Sequence, residues 1–167
     1  MNLGEICYEL GDFRGATAAF EEVPHSQPEG DPCYCATNLW LGYCYRAVYL
    51  QDKARAHFER ALTSSSPSTR EKLSAQENLA QIEYEAREYK KAAERFRELL
   101  TLYSKDDPVR LNTILWLGHC YEGIRDYARA QDSYEEVLTA SDASEGDKLS
   151  AQEGLQRLSG PAKQTYH

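Results

Sequence analysis

Five cysteines, four histidines and 27 carboxylates are the residues of this 167-residue chain whose chemistry could be put to work. Cys33 and Cys35 form a lone Cys-x-Cys. A zinc site of the structural kind needs four ligands, and no second Cys/His pair stands at ligand spacing, so no metal is expected. An odd number of cysteines without a spacing framework predicts free thiols in a reducing compartment such as the cytoplasm. Cys44 and Cys120 each stand directly before a tyrosine, Tyr45 and Tyr121, and read as small buried hydrophobes. His119 and Cys120 are adjacent, so on a helix they point about 100° apart and form no dyad. His25 falls in a proline-flanked loop, His57 on a second helix, and His167 is the last residue. None pairs with a nucleophile or carboxylate in an activating arrangement. Glu21-Glu22 and Glu135-Glu136 read as exposed helix charges. With no glycine-rich phosphate loop either, no catalytic residue, metal or cofactor is expected. A metal or redox role through Cys33 and Cys35 is the chemical alternative.

Whatever these residues do depends on a repeated frame. Leu3, Leu41, Leu79, Leu117 and Leu155 recur with a fixed period of 38. Gly4, Gly42, Ala80 and Gly118 follow the first four. Ala16, Ala54, Ala92 and Ala130 come later in each unit, then an aromatic one helical turn on: Phe20, Phe58, Phe96 and Tyr134. A period of this length predicts stacked structural repeats. Within a unit, apolar residues keep helical spacing, as in Tyr89, Ala92, Phe96, Leu99 and Tyr103, with charges on the other face.

Each unit therefore reads as two amphipathic helices joined by a tight turn. Helices are expected near 1–10, 13–23, 32–49, 52–63, 69–86, 89–103, 108–123, 127–140 and 146–158. Turns fall near Leu10-Gly11-Asp12, Gln51-Asp52, Arg87-Glu88 and Arg125-Asp126. Asp31-Pro32 and Asp107-Pro108 supply N-cap aspartates with proline in the first turn. Ser68 and Glu71 match a capping box. A second period of 76 lies above the first: Lys72 to Glu77 reappears as Lys148 to Glu153, and Leu39-Trp40-Leu41-Gly42 as Leu115-Trp116-Leu117-Gly118. Cys44 and Cys120 are related by the same offset. The array reads as cut at its leading end, a piece of a longer solenoid or one lacking a helix turn.

Leu-Gly followed by tyrosine (Leu41, Gly42, Tyr45; Leu117, Gly118, Tyr121), then alanine, then an aromatic, resembles the tetratricopeptide repeat over residues 1–158. Departures are the 38-residue period, a tryptophan directly before Leu-Gly, and Leu79-Ala80 with Glu83 in the third repeat. The resemblance implies an all-α fold, a right-handed α-α superhelix of about four helix pairs plus a C-terminal helix. Repeats are expected at 1–30, 31–67, 68–105 and 106–143, with a capping or partial helix at 144–158 and a disordered tail at 159–167. It also implies a scaffold that binds a peptide or helical segment of another protein in its concave groove, with self-assembly as the alternative.

On the first helices, the residues beside the Leu-Gly seam are the groove candidates: Trp40, Tyr43 and Ala47; Asn78, Gln81 and Glu85; Trp116, His119 and Gly123. Two placements fit the indoles, groove anchors or core residues. The positions where relatives carry a Lys/Asn clamp for acidic tails hold Leu39 and Tyr43, Glu77 and Gln81, Leu115 and His119, so no clamp is present. Arg46 and Arg157 offer isolated polar contacts. A net charge of −8 and no basic stripe argue against nucleic acid and anionic membranes. A basic or aromatic-rich segment fits better than an acidic one. No apolar run approaches the roughly 20 residues of a membrane span.

Overall fold

The computed structural model describes residues 2–22, 32–65, 67–104, 107 and 109–160. Among them lie nine helices and no strand: α1 (Leu3–Glu9), α2 (Phe13–Glu21), α3 (Pro32–Ala47), α4 (Gln51–Thr63), α5 (Thr69–Glu85), α6 (Tyr89–Leu102), α7 (Val109–Gly123), α8 (Tyr127–Thr139) and α9 (Glu145–Ser159). The chain divides into two compact units, Met1–Ile82 and Glu83–His167. Val23, His25, the Asp31 cap, and Pro161 to His167 of the expected tail lie outside the described residues. Ser159, expected in that tail, is the last residue of α9.

Local chemistry starts the helices. Asn2 and Glu5 form a capping box on α1, with Asn2 Oδ1 accepting the Glu5 N–H at 3.0 Å and Glu5 Oε2 accepting the Asn2 N–H at 3.0 Å. Ser68 and Glu71 do the same for α5, at 2.7 and 3.3 Å, as their spacing predicts. Asp107 accepts from the Val109 N–H at 3.0 Å. Asp12, Asp126 and Ser144 cap α2, α8 and α9.

One turn is used four times. Gly11, Tyr49, Arg87 and Arg125, spaced by the same period as the leucines, have φ of 78°, 61°, 62° and 64°. In each turn the next residue's N–H reaches back to the preceding helix: Asp12 to Cys7, Leu50 to Tyr45, Glu88 to Glu83 and Asp126 to Tyr121, at 2.8–2.9 Å. The left-handed residue itself donates to a nearer carbonyl, at 2.9–3.0 Å. This is the Schellman closure, which satisfies carbonyls orphaned at a helix end. It corrects one expected turn. The second turn lies at Val48-Tyr49-Leu50, and Gln51 and Asp52 open α4.

Each unit has its own core. In the first, Ala16, Phe20, Leu41, Cys44, Ala54, Phe58, Ala75 and Leu79 are buried together. In the second, Phe96, Leu99, Leu117, Cys120, Ala130, Tyr134, Val137 and Ala151 are buried. The repeated alanines and aromatics are thus the core, as their spacing predicts. Full burial of one such aromatic contributes ~1.5–3 kcal/mol. A glycine costs a helix ~1 kcal/mol against alanine, and packing explains why Gly118 and Gly154 are retained. The Tyr134 ring is clasped between them: a Cβ on Gly118 would lie 2.6 Å from one of its ring atoms, and on Gly154 2.5 Å from another. Glu83, 2% exposed, is held by Arg95 Nε at 2.9 Å, so a charge enters the second core only as a pair.

Candidate functional site

The longer sequence period builds the same aromatic cluster once in each unit. In the first, Trp40 of α3 stacks on Phe20 of α2 (centroids 5.7 Å, planes 7° apart). Tyr8 of α1 meets its ring edge-on at 5.4 Å, and Tyr43 at 5.7 Å. Tyr43 in turn meets Phe58 of α4 at 5.4 Å. In the second, Trp116 of α7 stacks on Phe96 of α6 at 6.1 Å and 12°. Tyr84 of α5 meets it edge-on at 5.2 Å and His119 at 5.9 Å, and His119 meets Tyr134 of α8 at 5.3 Å. Tyr8/Tyr84, Phe20/Phe96, Trp40/Trp116, Tyr43/His119 and Phe58/Tyr134 are all related by that period.

The two indoles are half-buried, and neither lines the open pocket above its cluster. Their faces pack on an aromatic of the second helix of the preceding pair, and half-buried Tyr8 and Tyr43, or Tyr84 and His119, meet them in T-shaped contacts. Aromatic pairs of this kind add ~0.5–1.5 kcal/mol each beyond area.

Above each cluster is an open pocket, and the two occupy matching positions. The first, about 260 Å³, is lined by Tyr8, Tyr43, Arg46, Ala47 and Asn78. The second, about 410 Å³, is lined by Tyr84, Tyr89, His119, Glu122, Gly123 and Arg157. Of the groove candidates, Tyr43, Ala47 and Asn78 come together in the first pocket, and His119 and Gly123 in the second. Gln81 is half-buried and Glu85 exposed on α5, in neither lining. Tyr8, Tyr84, Tyr89 and Glu122 escape the sequence argument, although applying the longer period to the tyrosines of the first helices pairs Tyr8 with Tyr84.

The polar chemistry of the two differs. In the first, Arg46 donates to Asn78 Oδ1 at 2.6 Å, and the Tyr43 hydroxyl bonds Ser74 Oγ. In the second, Glu122 receives Arg157 through Nε at 2.9 Å and Nη2 at 3.0 Å, a bidentate pair. The Tyr134 hydroxyl donates to Glu122 at 2.8 Å and contacts His119 Nδ1 at 2.8 Å. His119 Nε2 lies 3.4 Å from Ser150 Oγ of α9. Burial raises the Glu122 carboxyl, but the hydrogen bonds from Arg157 and Tyr134 outweigh it and hold the group below its ordinary 4.5. Burial, and then the Glu122 bond and charge, drive the Tyr134 hydroxyl far up, so it stays a donor at every working pH.

The cysteines are placed for packing. Cys44 and Cys120 are fully buried. Burial, with Glu83 behind it, pushes the Cys120 thiol up to about 12. Cys35 is buried and donates to the Ala61 carbonyl at 3.5 Å, and burial followed by Glu71 pushes it up to about 11. Cys33 is exposed, so the two sulfurs of Cys33-x-Cys35 face different surroundings. Among the described residues no three His, Cys, Asp or Glu side chains are placed to hold a metal ion, and no helix is long and apolar enough to cross a membrane.

Helix pairs in a fixed register, closed by identical turns and cored by alternating alanine and aromatic residues, define a helical-hairpin repeat protein. Two tetratricopeptide repeat models match it, over residues 47–107 and 114–149, and together they take in more than half of the chain. This is a tetratricopeptide repeat protein. The Dictyostelium discoideum general transcriptional corepressor trfA is 33% identical over 105 residues, 60% of this chain. Those residues are 7% of that relative's length. Two crystal structures of MamA, each 21% identical, superpose with TM-scores of 0.68 and 0.70, covering 95% and 94% of this chain and 93% and 81% of theirs. The nearly identical TPR-like repeats of a Podosopora anserina protein described as a kinesin light chain align at 17% identity and TM-score 0.68, over 94% of this chain and 90% of that one. At these identities the likeness speaks for the fold.

Proposed function

We propose that this chain is a non-catalytic protein-interaction scaffold. The first helices of each unit hold a peptide or helical segment of a partner, with the Tyr8–Tyr43 and Tyr84–His119 pockets as side-chain seats. Trp40, Tyr43, Asn78, Gln81, Glu85, Trp116 and His119 contribute the binding surface, the indoles by stiffening the tyrosines that make contact. What supports this reading is the aromatic cluster and adjoining pocket that recur in each unit. Preorganised tyrosines cost little ordering entropy when they bind. Repeats at 1–30, 31–67, 68–105 and 106–143, with 144–158 as a partial repeat, are the units of that surface.

The partner segment is basic or aromatic-rich. A net charge of −8 favours encounter with cations, and Glu85, next in sequence to Tyr84, is exposed. A reducing compartment suits five cysteines of which none is in a disulfide. The test is to select peptides on the folded protein by display, then measure the best binder by calorimetry against Glu85→Lys and Tyr84→Ala. Affinity lost at least tenfold in both, with the far-UV spectrum unchanged, supports the reading. Full affinity in both, or a selected set dominated by acidic peptides, overturns it.

A specific observation favours a second reading, self-association. Leu3, Ile6 and Leu10 are 68%, 41% and 80% exposed along one stripe of α1. The residues in the same register as Leu3 and Ile6 are Leu41 and Cys44, Leu79 and Ile82, and Leu117 and Cys120, all under 5% exposed. Apolar surface of that pattern suits another helix. Sedimentation across concentration separates the readings, since growth that Leu3→Glu/Ile6→Glu abolishes belongs to assembly.

A further inference from the structure

Four substitutions between the duplicated halves act together. Where the first unit has Tyr43, Arg46, Phe58 and Gln81, the second has His119, Glu122, Tyr134 and Arg157 at the same positions of the longer period. Ser74 and Ser150 correspond unchanged. The four new residues make one continuous chain, Arg157 to Glu122 to Tyr134 to His119 to Ser150, with links of 2.9, 2.8, 2.8 and 3.4 Å. It begins and ends on α9 and passes through α7 and α8. In the first unit the corresponding link from α3 to α5 is the Tyr43–Ser74 hydroxyl pair, which contains no imidazole.

The proton inventory fixes one side of the histidine. The Tyr134 hydroxyl carries one proton and gives it to Glu122. Toward His119 it can only accept, so Nδ1 carries a proton. On the other side the Ser150 hydroxyl can donate or accept, so it meets Nε2 in either charge state of the ring.

We infer that His119 is a proton-operated latch for α9: neutral, it lets the last helix dock, and protonated, it loosens that helix. Protonation places a second cation in the pocket that Arg157 lines, against the rings of Trp116 and Tyr134. The groups facing His119 are Tyr84 from α5, Tyr89 across the pocket from α6, Glu122 from its own helix, Tyr134 from α8, and Ser150 and Arg157 from α9. Only Glu122 among them is an anion, and it is already occupied by the Arg157 fork and the Tyr134 hydroxyl. Undocking α9 withdraws Arg157 and opens the ring to water, which relieves the added charge.

The direction of the response follows. Burial foremost, then the Arg157 charge, hold His119 below its ordinary 6.5, while Glu122 pulls the other way. Between that lower value and 6.5, the undocked state binds a proton that the docked state does not. Docking therefore weakens as pH falls below 6.5, and the effect levels off beneath the folded value. Glu122, held below 4.5, stays ionised through this window.

The test is hydrogen exchange of α9 peptides, as protection factors at about pH 7.5 and about pH 5, in wild type, His119→Tyr and His119→Gln. His119→Tyr installs the first unit's residue, and His119→Gln keeps hydrogen bonding without the titration. Wild-type α9 is expected to lose protection by about tenfold per pH unit between 6.5 and the folded value, with both variants flat. A second readout needs no variant at position 119. In Trp40→Phe protein the fluorescence of Trp116, 5.9 Å from the His119 ring, is quenched on acidification with a midpoint below 6.5. Wild-type protection that does not change, an equal fall in both variants, or a midpoint at or above 6.5 overturns the latch.

Discussion

Replacing Gly42 by alanine sets two well-known effects against each other at one atom. The added methyl improves helix propensity by ~1 kcal/mol. Its Cβ would also lie 2.6, 2.7 and 2.8 Å from three carbons of the Phe58 ring. Phe58 has no exposed surface, and Tyr43 bears on it edge-on at 5.4 Å. The ring cannot yield the several tenths of an ångström required without moving the whole cluster. Overpacking of this kind costs ~1–3 kcal/mol, so Gly42→Ala should destabilise by up to ~2 kcal/mol after the propensity gain. Gly146→Ala is the matched control. It lies in the first turn of α9, and its Cβ would meet nothing nearer than 3.8 Å, so it should stabilise by up to ~1 kcal/mol. Urea unfolding of both variants, with Phe58→Leu and with Gly42→Ala/Phe58→Leu to relieve the clash, completes the cycle. Coupling of at least ~0.5 kcal/mol is expected between 42 and 58. If Gly42→Ala stabilises as much as Gly146→Ala, or the double variant shows no coupling, close helix approach is not what keeps this glycine.

Three further outcomes are expected. Tyr49, Arg87 and Arg125 sit in left-handed turns at a strain of ~1–2 kcal/mol, so glycine at each should raise stability by ~0.5–1 kcal/mol after its larger unfolded-state entropy. Gly11→Ala should lower it in the same thermal melts. Below its ordinary 4.5, the unfolded Glu122 takes up a proton before the folded one, so the stability this carboxylate contributes is lost as pH falls through the folded value. Glu122→Gln should flatten that acid limb in denaturant titrations while lowering stability at neutral pH. Timed labelling of the native protein with an aromatic disulfide should modify Cys33 at once, with Cys35, Cys44 and Cys120 waiting for unfolding, because a buried thiol stays protonated and shielded.

The helices were legible because a single period repeats the same physical demand four times. Leucine, alanine and aromatic residues at fixed offsets can be buried only by paired helices, and Phe58, Ala54 and Leu79 have no exposed surface. The second turn was misplaced at Gln51-Asp52 because the left-handed residue there is Tyr49. Side-chain chemistry did not mark it, and only its register with Gly11 did. The tryptophans were ambiguous for a related reason. Spacing places Trp40 and Trp116 on the first helices, but whether an indole lies flat on Phe20 or stands in solvent depends on what the previous helix presents. Tyr8 and Glu122 were missed because a pocket wall comes from three or four helices at once. A single amphipathic pattern reports only which side of one helix is apolar.

The central claim is that partner binding is carried by the first helices and their aromatic seats. It is tested most directly by hydrogen exchange of the protein with and without a saturating selected peptide. The account predicts new protection in α1, α3, α5 and α7, centred on Tyr8, Tyr43, Asn78, Tyr84 and His119. Protection confined to α2, α4, α6 and α8, with the first helices unchanged, would contradict it.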